Sequence, residues 1–300
     1  MIVTVTLNPA LDVTHELAGV RLGATNRIAR VHERAGGKGL NVARVLSALG
    51  EPVLACGLLG GRTGEAIRAE LEAAGIAAAF ITVAAESRRT VAIVEPARTT
   101  LLNEPGPQVA PEEWTAFLAG FGRLVCDASV AVASGSLPPG VPTDAYAVLG
   151  ELCRAAGVEL ILDADGEPLL RGLTGRPSLI KPNADELARL ASGPPADAAQ
   201  RLRAAGAGAV VVSQGPDGLL ALTPHGAWRA VPPTVTGNPT GAGDALVAAL
   251  AQGHAHGRPW PERLRHGAAL SAAAVRAAVA GTYDPADYET FLPLITLESL

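Results

Sequence analysis

The stretch "GLNVARVLSALGEPVLACGLLGGRTGEAIRAELEAA", Gly39 to Ala74, decides the fold class. Gly39–Leu49 carries apolar side chains at helical spacing, Val53–Gly57 is a short apolar run of strand length, and Thr63–Ala74 returns to helical spacing. Helix, strand and helix joined by short connections are the repeating unit of a parallel sheet covered by helices. The alternation continues in both directions. Ile2–Leu7 reads as a buried strand before it. After it come strand Val130–Ala133, helix Asp144–Ala156, strand Glu159–Asp163, short strand Leu179–Lys181 and helices Ala184–Leu190 and Ala196–Ala205. Strand Ala209–Ser213 follows, and helices Gly243–Gly253 and Pro261–Val279 close the chain. The expectation is an α/β protein, a mainly parallel sheet with helices on both faces. Ligands of such sheets gather at the carboxyl ends of the strands.

Two segments break the rhythm. Leu11–Arg34 and Arg88–Asn103 alternate like strands ("TNRIARVHER", "RTVAIVEPARTTLLNE") without a crossover helix. No Ser/Gly linker sets them apart, so residues 1–300 read as one domain with a small β-lid made from about 11–34 and 88–103.

Composition narrows the function. The 300 residues are 48% hydrophobic, ample for a sizeable core, and the net charge of −5 with scattered basic residues argues against nucleic-acid or membrane-surface binding. No window has the apolar length of a membrane span, and the N-terminus lacks the basic and apolar regions of a signal peptide. Cys56, Cys126 and Cys153 lie far apart, which argues against a disulfide framework or a zinc site and fits a reducing cytoplasm. The chain is rich in arginine yet holds only two lysines, Lys38 and Lys181, and six asparagines, all in or beside Gly/Pro-punctuated segments. Asparagine favours turns in any case. The lysines have no such excuse, and mark places where chemistry restricts the residue.

In "GNPTGAGDALVAAL" (Gly237–Leu250) small residues lead to a lone Asp244 at the mouth of an apolar helix. Helix capping accounts for it. So does a reacting anion, since free N–H groups at a helix start hold phosphate. "AGGKGLN" (Ala35–Asn41) is another glycine turn opening a helix. Gly36, Gly37 and Gly39 permit close approach, Lys38 supplies charge and Asn41 a donor–acceptor pair; the spacing is neither a Walker A motif nor the dinucleotide fingerprint. Asn8 and Asp12 in "TLNPALD" and Ser136 in "SGSLPPG" sit just past strand ends. Of Arg88 and Arg89, adjacent on a strand, only one can point into a cleft. In "IKPNADEL", Lys181, Asn183 and Glu186 follow a strand and open a helix; Asn183 and Glu186 share a helix face suited to the waters of a magnesium ion, or form a cap and first-turn acid. "VVSQGPDG" ends a strand in a glycine loop suited to a nucleotide.

Together "TLNPALD", "GGKGLNVARVL", "NEPGP", "SGSLPPG", "KPNADEL", "VVSQGPDG" and "TGAGDALVAAL" resemble the PfkB family of ribokinase-like carbohydrate kinases, in the family's order from residue 2 to about residue 280. "TLNPALD" with "NEPGP" is similar to the phosphosugar branch of 1-phosphofructokinases and tagatose-6-phosphate kinases. The resemblance implies a three-layer sandwich, a β-lid, ATP with Mg²⁺, and a homodimer through the lid. It implies Asp244 as catalytic base with Gly241, Ala242 and Gly243 as anion hole. Asn8, Asp12, Gly37, Lys38, Asn41, Arg88, Asn103 and Ser136 would hold the sugar phosphate. Lys181, Asn183, Ser213, Gly215, Gly218, Gly241 and Gly243 would bind the nucleotide, and Asn183 and Glu186 would hold magnesium through water. Three positions depart from the pattern: Pro239 replaces a serine or threonine, Asp165 a serine and Thr90 an asparagine. The implied reaction is phosphorylation of a ketohexose phosphate, foremost fructose 1-phosphate. The rivals are a tagatose-6-phosphate or fructose-6-phosphate kinase and a silent sugar-phosphate sensor.

Overall fold

The computed structural model describes residues 1–96 and 98–300. Ala97, inside the second lid segment, lies outside the described residues. The chain opens with strands β1 (Ile2–Thr6), β2 (Ala10–Glu16) and β3 (Arg30–Gly36). Helix α1 (Lys38–Ala48), β4 (Val53–Gly60), α2 (Gly61–Ala73) and β5 (Ala77–Val83) come next, followed by β6 (Arg88–Glu95) and β7 (Arg98–Asn103). The middle comprises α3 (Pro111–Leu124), β8 (Val130–Ser134), α4 (Ala145–Ala155), β9 (Glu159–Asp163), α5 (Gly166–Gly172) and β10 (Leu179–Ile180). Helices α6 (Ala184–Leu190) and α7 (Pro195–Ala204) lead to β11 (Ala209–Ser213), β12 (Leu219–Thr223) and β13 (Gly226–Val231). The chain ends with α8 (Ala242–Ala255), α9 (Trp260–Arg276), α10 (Pro285–Phe291) and β14 (Thr296–Ser299).

The main sheet has ten strands in the order β14-β13-β12-β11-β10-β9-β8-β1-β4-β5. From β11 to β5 every pairing is parallel; β12, β13 and β14 add an antiparallel edge. Central strands such as IVTVT and VAVAS are buried at every position, because helices cover both faces and neither face needs polar residues. One core joins the sheet to α1, α2, α8 and α9; the other joins it to α3, α4 and α7. The chain therefore folds as the expected three-layer sandwich. Contrary to the sequence reading, α9 does not close the chain: α10 and β14 follow it, and β14 completes the antiparallel edge against β13.

Strand order reverses at β1. The chain moves from β1 to β4 and β5 on one side and through β8, β9, β10 and β11 on the other. Side chains beyond the carboxyl ends of β1 and β8 thus face a crevice that no crossover covers. The two excursions form a separate four-stranded sheet, β3-β2-β6-β7, over that crevice. In register, Asp12 lies opposite Arg34 and beside Thr90, and Thr90 pairs with Asn103, so these four side chains share one face of the lid.

Candidate active site

A cleft of about 750 Å³ opens at the reversal point. Its walls include Thr6 and Ser134 from the ends of β1 and β8, Gly37 and Lys38 from the start of α1, and Arg88 and Asn103 from the lid. Asn8 and Ser136 line it as well. The Asn8 side chain donates to the Pro105 carbonyl at 3.0 Å and to Ser136 Oγ at 3.2 Å, which joins "TLNPALD", "NEPGP" and "SGSLPPG" at one point. The glycine of "NEPGP" is required there. At φ +106°, a Cβ on Gly106 would sit 2.2 Å from Asn8 Oδ1. Arg88 points into the cleft and donates to the carbonyls of Asn8 and Glu104, whereas Arg89 is exposed and does not line it. Burial lowers the pKa of Arg88, and the charges of Asp12 and Glu104 counter this only in part.

The two lysines meet. Lys38 Nζ lies 3.2 Å and Lys181 Nζ 3.5 Å from the same oxygen of Asp163, a buried carboxylate at the end of β9. Lys38 is also 3.8 Å from Glu186. Burial works against the charge of Lys38, but Asp163, Glu186 and Asp244 together hold its pKa above the ordinary lysine value. Asp163 lies outside every motif quoted above. Its signal was a carboxylate ending the apolar strand "ELILD", at the sheet edge where ligands collect.

Asp244 occupies the first turn of α8 but does not cap it. The N-cap is Gly241, in the left-handed region at φ 88°, and no side chain bonds there. A Cβ at Gly241 would lie 2.8 Å from Ala280, so only glycine fits. Asp244 Oδ2 instead accepts a 2.8 Å bond from Asn41 Nδ2, a residue of α1. Burial, with Asp163 nearby, pushes the Asp244 carboxyl up to about 7 against the pull of Asn41, Lys38 and Lys181. Helix α8 is buried over Asp244–Gly253, which explains its alanine-rich, all-round apolar sequence. A Cβ at Gly243 would stand 3.4 Å from Lys181 Nζ, so the small residues leave the helix mouth open beside a cation.

Other residues gather less tightly. Asn183 caps α6 and forms a reciprocal pair with Glu186: Asn183 Oδ1 accepts from the Glu186 amide and Glu186 Oε2 from the Asn183 amide, each at 2.8 Å. Ser213 bridges to Asn183 across the strand ends. Gly215 and Gly218 lie in the next loop, outside the 750 Å³ cleft, and Gly218 is needed where a Cβ would meet the Ala230 carbonyl at 2.1 Å. Asp165 bonds to Arg189 at 2.8 Å and caps α5 while lining the cleft. Asp12 does not line the cleft; it sits beside Gly36, where burial raises its pKa against the charge of Arg88.

A family model for pfkB family carbohydrate kinases matches residues 5–287. The chain belongs to that family. A mutant phosphofructokinase-2 from Escherichia coli superposes with a TM-score of 0.91 at 29% identity, covering 98% of each chain. A possible 1-phosphofructokinase from Thermotoga maritima superposes with a TM-score of 0.87 at 28% identity, covering 100% of this chain and 99% of that one. A complex of the Escherichia coli phosphofructokinase-2 with fructose-6-phosphate matches with a TM-score of 0.87 at 27% identity over 98% of both chains. The protein is therefore a sugar kinase of the phosphofructokinase type, a phosphotransferase acting on an alcohol group, and use of ATP follows from the family.

Proposed function

We propose that this kinase transfers the γ-phosphoryl group of ATP to a hydroxyl of a ketohexose phosphate, with fructose 1-phosphate as substrate and fructose 1,6-bisphosphate as product. One observation carries the reading: a buried aspartate, fixed by Asn41, sits at a glycine-lined helix mouth beside two lysines that share Asp163. Phosphoryl transfer asks the protein for alignment, a proton acceptor and charge stabilisation. Asp244 takes the hydroxyl proton, and the N–H groups of Gly241 and Gly243 face the transferring oxygens with the helix dipole behind them. The Ala242 N–H, the third of the expected anion hole, donates to the Pro239 carbonyl at 3.2 Å. Lys181, next to Gly243, adds positive charge on the same side. Arg88 and Asn103, together with Asn8 and Ser136, receive the sugar phosphate in the cleft. "TLNPALD" and "NEPGP", held together by Asn8, favour the phosphosugar branch.

Among the described residues no group of three or more His, Cys, Asp or Glu side chains could hold a metal alone. Oxygen donors are nonetheless spare: Asp163 Oδ2 is buried without a partner, and Glu186 Oε1 faces Lys38. These hard donors fit a hydrated magnesium ion carried in with the nucleotide, held through water by Glu186 and Asn183. Such an ion supplies charge neutralisation on the phosphates.

The lid is proposed to join two copies as a homodimer. Cys56, Cys126 and Cys153 are unpaired thiols, which suits the reducing cytoplasm where phosphorylated sugars and ATP are found. The test of the reading is ADP release, measured over a panel of ketohexose monophosphates with ATP. Fructose 1-phosphate should give the highest kcat/KM; fructose 6-phosphate ahead of it would transfer the assignment to the other branch, and no turnover at all would favour the silent sensor. On that substrate, Arg88→Ala should raise the sugar-phosphate KM about tenfold, about 1.4 kcal/mol of charge-assisted binding, with the ATP KM nearly unchanged. Equal effects on both substrates would place Arg88 outside the phosphate site.

A further inference from the structure

The turn between α9 and α10 reaches the helix mouth from behind. A Cβ at Gly241 would lie 2.8 Å from Ala280 Cα and 3.1 Å from the Gly281 nitrogen. Gly281 is itself left-handed at φ +72°, and a Cβ there would lie 2.9 Å from Asn41 Oδ1 and 3.3 Å from Arg44 Cδ. Ala280 and Gly281 are thus wedged between the N-cap of α8 and the asparagine that donates to Asp244. Close-packed contacts of this kind transmit displacement instead of absorbing it.

The lid holds this turn. Arg34 lies on β3 opposite Asp12, and its guanidinium donates to the Ala280 carbonyl at 2.8 Å, across 246 residues of sequence. Its surroundings do little to reward its charge. Half-burial and the neighbouring Arg44 disfavour it, and Glu70 and Asp12 compensate only from a distance. Glu70 is already committed to Arg44 and to the Ala35 amide. An arginine on an exposed lid strand has water available; this one reaches instead for a single backbone carbonyl beside the helix mouth.

We propose that Arg34 is a positioning residue that registers the lid on the helix mouth. Its bond to Ala280 presses the Ala280–Gly281 turn against Gly241 and Asn41, and so sets the amides of Gly241–Gly243 and the carboxylate of Asp244. The functional weight of this link rests on the phosphoryl-transfer reading above.

The test uses two substitutions that strike the turn from opposite ends. Arg34→Met keeps an aliphatic stem and removes the donor. Gly281→Ala places a methyl group against Asn41 in a backbone region that strains alanine. Hydrogen exchange of the Gly241–Asp244 amides should speed up in Arg34→Met, with the melting temperature within a few degrees of wild type. Its kcat should fall about tenfold while the sugar-phosphate KM stays within about twofold. The double variant should be little worse than the poorer single variant, because both act through one turn. Unchanged exchange at Gly241–Asp244, or losses that multiply in the double variant, would overturn the proposal. Should Gly281→Ala fail to fold, the exchange and kcat of Arg34→Met decide alone. Exchange needs no turnover, so a wild type inactive on every sugar phosphate sinks the kinase reading and still leaves the link to be judged.

Discussion

Asp244 and Asn41 are 203 residues apart, yet one hydrogen bond between them separates two accounts of the same aspartate. A capping aspartate bonds its own helix; this one bonds another, and Gly241 does the capping. Asp244→Asn should therefore cut kcat at least about a hundredfold, the usual worth of a general base, while the protein stays folded and binds ATP. Near-wild-type turnover would leave Asp244 without a catalytic role. As the base must be ionised, kcat/KM should rise with pH through an apparent pKa near 7. Asp163→Asn removes one of the causes raising that value, so the acid limb should move to lower pH. Stability follows with the opposite sense from a salt-bridged carboxylate. The folded pKa stands at about 7 against an ordinary 3.8, so the folded protein binds the extra proton between those values and loses stability as pH rises through them. Asp244→Asn has no such loss, and its melting temperature relative to wild type should climb from pH 4 to pH 8. Much of this chemistry is legible in the sequence because scarce residue types mark it, as both lysines do. Asp163 was not, because a carboxylate at a strand end looks like any other until its partners are placed around it.

Among the elements, the lid has the most unfinished surface. β7 is exposed throughout, β3 is exposed over Arg30–Glu33, and both are edges of a sheet of only four strands. Val31, Leu101 and Leu102 are each more than half exposed on these edge strands. Unpaired edges carrying large apolar residues invite a partner. In the proposed homodimer, Leu101→Asp should turn a dimer into a monomer in light scattering at micromolar concentration. Wild type that is already monomeric there would remove the lid from any assembly role. The lid's strands were legible from their alternation, and most helices of the sandwich from their spacing, but α3, α5 and strand β5 were not read from the sequence. β14 was not, since "TLES" has no strand signal of its own and exists through pairing with β13. β12 and β13 were missed for another reason: "LLALT" is an apolar run of strand length, but their antiparallel turn reverses the parallel rhythm that the rest of the chain announces.

Across the whole molecule, what sequence spacing could not supply is distance. Lys38 to Asp163 spans 125 residues and Arg34 to Ala280 spans 246, so the order of motifs identifies the site's parts without saying which touch. These long connections bear on whether the lid is a separate folding unit. Leu11, Val13 and Ala35 of the lid strands are buried in the same core as Leu40 and Val42 of α1 and Leu246 of α8. The Arg44 side chain, anchored in α1, donates to the Ala35 carbonyl at 2.8 Å and pairs with Glu70 of α2. The lid sheet by itself has too few buried side chains for an independent core, and four short strands need a packed face to be stable. We therefore expect residues 1–300 to behave as one domain. Calorimetry should give a single endotherm with equal calorimetric and van't Hoff enthalpies. Replacing Val13 by Ala, a truncation in this shared core, should lower that one transition by several degrees without splitting it. A separate low-temperature transition, moved by Val13→Ala while the main one stays fixed, would show that the lid folds apart from the sandwich.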